Sequence, residues 1–65
     1  MLEQKFGLMD VINYTDESGK TLKGIICAVT QIESGDFVYD IRLHDPETNE
    51  DIKYFDVPQN EILNN

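Results

Sequence analysis

Between Phe37 and His44 the side chains alternate with a period of two: Phe37, Tyr39, Ile41 and Leu43 interleave with Val38, Asp40, Arg42 and His44. Successive side chains of a strand point to opposite faces, so this segment predicts a strand with one buried and one wet face. The rest of the chain must supply the surface that covers the buried face. With 65 residues it does so near the lower size limit for a domain that folds without a metal or several disulfides. A single domain is expected, and oligomerisation is a further way to bury its apolar face.

Three other segments read as strands, with a turn signal between each consecutive pair. The first spans about Leu8–Tyr14 and stops at Thr15-Asp16-Glu17-Ser18-Gly19-Lys20, where Asp and Ser offer local hydrogen bonds and Gly tolerates positive φ. The second spans about Thr21–Ile32; its length and Gly24 predict a sharp bend of the kind that turns a corner between two sheets. Ile25, Cys27 and Val29 are expected on one of its faces and Ile26 and Ala28 on the other, which makes Cys27 a small buried hydrophobe. Glu33-Ser34-Gly35-Asp36 forms a short hairpin connection with Gly35 in the left-handed position. Asp45-Pro46-Glu47-Thr48-Asn49-Glu50 is a turn, because Pro46 cannot serve a central strand. Asp51–Phe55 is the fourth strand, and Val57–Glu61 reads as a 3-10 corner before a short last strand at Ile62-Leu63, with Asn64-Asn65 fraying. Met1–Phe6 contains good helix formers but is too short to hold a helix without packing.

The hexapeptide Val57-Pro58-Gln59-Asn60-Glu61-Ile62 resembles the valine-proline-serine-asparagine-tyrosine-valine stretch that closes many SH3 domains. Together with the strand order it implies an all-β fold: a five-stranded SH3-like small barrel, a meander with a 3-10 corner before the last strand, as in SH3, Tudor and KOW-type modules. Glu61 stands at the tyrosine position and the chain has no tryptophan, so the resemblance implies the barrel and not proline-rich peptide binding.

No nucleophile motif accompanies His44-Asp45, whose side chains should face opposite ways, and an enzyme is not expected. Asp45, Glu47, Asn49, Asp51 and Asp56 are spaced like the ligand positions of an EF-hand loop, yet the loop's glycine, its final glutamate and its flanking helices are missing. One cysteine and one histidine cannot build a structural zinc site, so no metal or other cofactor is expected. Cys27 alone forms no internal disulfide, and a free thiol fits a reducing interior. Met1–Val11 lacks a long apolar run behind a basic start, so neither a signal peptide nor a membrane span is expected and the default setting is cytoplasmic.

Thirteen acidic residues against five basic ones, a formal charge of −8, repel nucleic-acid phosphates and suit a basic protein surface. The expected function is a non-enzymatic acidic binding or regulatory module. Its sharpest version is an inhibitor of the bacteriophage type that mimics nucleic-acid charge and blocks a nucleic-acid-handling enzyme. The alternative is a structural subunit, a homo-oligomer assembled through exposed strand edges. In a meander alternate turns lie at one end, which gathers Asp16, Glu17, Asp45, Glu47 and Glu50, opposed locally by Lys20. The fourth strand must expose either Tyr54 or the Lys53/Phe55 pair, so Tyr54, Phe55 and Pro58 are candidates for an apolar contact patch, unless Phe55 closes the barrel as core.

Overall fold

A computed structural model describes residues 3–64. Five strands form one antiparallel sheet: β1 (Val11–Thr15), β2 (Thr21–Gln31), β3 (Phe37–Asp45), β4 (Glu50–Pro58) and β5 (Ile62–Asn64). The first four pair consecutively, and β5 pairs with β1, giving the order β4-β3-β2-β1-β5. A 3-10 turn at Gln59–Glu61 carries the chain from one outermost strand to the other. The all-β meander and its 3-10 turn follow the expectation. The barrel does not close: β4 pairs only with β3 and β5 only with β1 among the described residues, so the two outermost strands share no ladder.

The turns form where the sequence supplies the chemistry. In the β1–β2 turn the Asp16 carboxylate accepts the backbone N–H of Ser18 at 2.9 Å and of Lys20 at 3.0 Å, while Gly19 takes φ +87°. Gly35 takes φ +94° in the β2–β3 hairpin, as its sequence predicts. In the β3–β4 turn the Asp45 carboxylate accepts Glu47 N–H at 2.9 Å, and Asn49 occupies the left-handed region that its short amide side chain tolerates.

The inward residues of β3, namely Tyr39, Ile41 and Leu43, are fully buried with Ile12 and Ile26, and Phe6, Leu22, Val57 and Ile62 complete the core. Each such aliphatic or aromatic side chain contributes about 1.5–3 kcal/mol when taken out of water. The sheet curls enough for β1 and β4, which share no ladder, to touch through their inner faces: the Tyr14 and Tyr54 rings lie 5.0 Å apart.

Several expectations are corrected. β1 begins at Val11, because Gly7–Asp10 turn first, with Leu8 and Met9 exposed and Met9 at φ 69°. Gly24 is not the corner of β2, which stays in one sheet; it sits between Ile12 and Leu43, and a Cβ there would lie 2.1 Å from the Arg42 carbonyl oxygen. The irregularity falls instead at Cys27, a β-bulge between Ile26 and Ala28. That extra residue shifts the phase, so Ile26 and Val29 both reach the core and Cys27 is exposed rather than buried. β4 runs on to Pro58 past a second irregularity, where Phe55 and Asp56 oppose Asp40 alone. The Asp40 carboxylate accepts the Asp56 N–H at 3.1 Å, which steadies Asp56 at φ 54°. Phe55 is consequently 67% exposed and closes nothing. Glu3–Phe6 is not helical, and Met1 and Leu2 lie outside the described residues, as does Asn65; Asn64 pairs with Ile12 rather than fraying.

A polar pin holds the N-terminal segment in place. Gln59, 9% exposed, accepts the Tyr39 hydroxyl and the Lys5 N–H (3.0 Å) on Oε1 and donates from Nε2 to the Glu3 carbonyl at 2.7 Å. Its amide meets Glu3 and Lys5 as a neighbouring strand would. Phe6 is thereby seated edge-on against Tyr39, ring centroids 5.6 Å apart.

Candidate protein-binding surface

The two acidic turns meet at one end of the sheet. Lys20 Nζ lies 2.9 Å from Asp45 Oδ2 and 3.4 Å from Glu47 Oε2, so one ammonium ties the β1–β2 turn to the β3–β4 turn. Asp16, Glu17, Asp45, Glu47 and Glu50 therefore share this end, but they do not do the same work. Asp16 spends its carboxylate on Ser18 and Lys20 backbone groups, and the hydrogen bond from Ser18 is the first cause holding its pKa below the usual value. Asp45, 7% exposed, binds Lys20, whose hydrogen bond holds the Asp45 carboxyl below the usual range and raises Lys20 in return. Glu17, Glu47 and Glu50 stand in solvent.

On the inner side of this end lies the pair Tyr14 and Tyr54, both half-buried. Desolvation raises the Tyr14 hydroxyl pKa, and the negative charges of Glu61, Glu17 and Asp16 push it the same way. Glu61, from the 3-10 turn, thus belongs to the electrostatic surroundings of Tyr14. Two aromatic rings bordered by carboxylates match a lysine or arginine side chain, which gains from ring faces as well as from opposite charge.

Tyr54, Phe55 and Pro58 do not form one patch. Tyr54 turns inward against Tyr14, whereas Phe55 and Pro58 face outward. Pro58 also lies at the other end of β4 from Glu50, about 25 Å away at a rise of roughly 3.3 Å per residue. Of these three only Tyr54 joins the acidic turns. Glu61 is an addition that the sequence does not signal, and Tyr14, an aromatic of β1, joins the surface through its contact with Tyr54.

His44 and Asp45 face opposite ways, His44 Nδ1 lying 3.0 Å from Asp51 Oδ1 on the exposed side. The acidic residues spaced like a calcium loop are dispersed in the same manner: Asp45 on Lys20, Asp51 on His44, Asp56 in the β4 bulge. Among the described residues no three His, Cys, Asp or Glu side chains converge on a point that could hold a metal ion. No helix among them is long and apolar enough to cross a membrane. No protein-family model, no curated protein and no solved structure matches the chain.

Proposed function

We propose that this chain is a non-enzymatic binding or regulatory module whose acidic end docks on a basic protein surface. The observation that carries the reading is how the cation within the two turns is used: Lys20 is engaged by Asp45 and Glu47, which leaves Glu17, Glu50 and an outlying Glu47 oxygen for a partner. Complementary charge of this kind speeds encounter and selects partners. The Tyr14–Tyr54 pair adds a place for one basic side chain to lose water. In the sharpest form of the proposal the module is cytoplasmic, of the bacteriophage inhibitor type, and its carboxylates stand in for phosphates on a nucleic-acid-handling enzyme. Nucleic acid itself is not the ligand of this end. We read the fold as SH3-like on the strength of the meander, the 3-10 turn and the Val57–Ile62 stretch.

Assembly through strand edges is the less favoured reading. β5 has three residues, and β4 carries Lys53 and is broken at Phe55–Asp56, all features that discourage pairing with another edge.

The test is capture of partners from host extract by the wild-type chain and by Glu17→Lys/Glu47→Lys/Glu50→Lys, each at low and high salt. The proposal expects a basic protein that the wild type retains only at low salt and the variant does not retain. Equal capture by both chains would refute it.

A further inference from the structure

In a chain with thirteen carboxylates, each of five cations should find a partner, yet among the described residues four make no ion pair, Lys5 and three that share one face. Lys23, Arg42 and Lys53 are exposed on the outer face of the sheet and make no ion pair; the pairs among the described residues belong to Lys20 and His44. Arg42 and Lys53 are direct cross-strand partners, an arrangement that costs stability because two side chains of like charge leave the sheet from Cβ atoms about 5 Å apart. The neighbouring carboxylates are engaged elsewhere, Asp40 by the Asp56 N–H and Asp51 by His44.

The register extends the pattern. Val11, Ile25, Arg42 and Lys53 form one row across β1, β2, β3 and β4. In the adjacent row Leu63 lies across from Asn13, and Lys23 across from His44. Val11 and Leu63 are 47% and 48% exposed. The outer face thus passes from apolar at the β5–β1 side to cationic at the β3–β4 side, over roughly 14 Å at one strand spacing per step.

We infer that this outer face is a second docking surface, which takes a segment of a partner protein carrying acidic residues beside apolar ones. The apolar part lies over Val11, Leu63 and Ile25, and the carboxylates reach Arg42, Lys53 and Lys23. Charge complementarity selects an anionic occupant. A polypeptide suits the face better than a nucleic acid, because Asp40, Asp51 and Asp56 rim the same cations and would meet a continuous line of phosphates. The surface is separate from the acidic end and stands whether or not that end binds a basic protein.

The experiment selects random dodecapeptides displayed on particles against the immobilised chain. Arg42→Glu is the diagnostic variant, since it sets a carboxylate opposite Lys53 and turns a repulsive pair into an attractive one. Its thermal midpoint should be unchanged or raised, which separates lost binding from lost fold; Lys23→Glu in the adjacent row provides a second variant. The expected result is recovery of peptides with Asp or Glu next to apolar residues, bound about tenfold more weakly by Arg42→Glu. Recovery of basic sequences alone, equal binding of the acidic peptides by both variants, or an oligothymidylate that displaces them in an Arg42-dependent way would overturn the inference.

Discussion

Replacing Gln59 by Leu should destabilise the fold far more than its position in a surface turn suggests. Tyr39 is wholly buried, and Gln59 Oε1 is the acceptor for its hydroxyl; the remaining contact, from Phe6 N–H at 3.4 Å, uses the hydroxyl oxygen and not its proton. A stranded buried donor costs about 1–3 kcal/mol. The Lys5 N–H and Glu3 carbonyl also lose partners, but both residues are exposed and water replaces the amide, adding about 1 kcal/mol together. The sum, about 2–4 kcal/mol, is a large share of the roughly 3–10 kcal/mol expected for a domain of this length. At about 4–8 °C per kcal/mol the midpoint should fall by about 8 °C or more. Urea unfolding followed by tyrosine fluorescence and far-ultraviolet circular dichroism, in the cold, measures it. Tyr39→Phe in the Gln59→Leu background removes the stranded donor, so the double variant should recover about 1 kcal/mol or more relative to the sum of the single changes. A Gln59→Leu chain within about 0.5 kcal/mol of wild type, or strict additivity, would refute the reasoning.

Gly24→Ala places a methyl group 2.1 Å from the Arg42 carbonyl oxygen and 2.7 Å from Leu43 Cδ2 in the centre of the sheet; loss of more than about 3 kcal/mol, or of folding, is expected in the same urea assay. The Asp45–Lys20 pair gives stability two pH limbs of predictable sign. Asp45, held below its ordinary 3.8, contributes fully above that value and loses its contribution as pH falls through the lower folded value. Lys20, raised above 10.5, contributes fully below that value and loses its contribution as pH rises through the higher folded one. Urea midpoints of wild type and Asp45→Asn across both limbs should differ most between them, and parallel profiles would contradict the assignment. Phe55→Ser, at a side chain 67% exposed, should change stability by less than about 0.5 kcal/mol, whereas a core role would cost several times more.

The alternation of Phe37, Tyr39, Ile41 and Leu43 made β3 legible because a period of two has one structural meaning. The turns were legible too, since Asp16, Gly19, Gly35 and Asp45 act through bonds and dihedrals local to each turn. Phase was not. Nothing in Ile25-Ile26-Cys27-Ala28-Val29 marks which residue bulges, so Cys27 was assigned to the core, and the same uncertainty in Tyr54-Phe55-Asp56-Val57 hid the outward turn of Phe55. Contacts across the chain were equally silent: Gln59 meets a residue 54 positions away, and Tyr14 meets Tyr54 only because the sheet curls. The cationic row was invisible for a related reason, because Arg42 and Lys53 become neighbours only when the β3–β4 register is known.

The most direct test of the acidic end as the contact surface is a nuclear magnetic resonance titration of the isotope-labelled chain with the basic protein that it captures. Line broadening and shift changes should concentrate at Glu17, Glu47, Glu50 and the Tyr14 and Tyr54 rings, and should vanish at high salt. Perturbations confined to the opposite end, around the Glu33–Asp36 hairpin, with no salt dependence, would contradict the account.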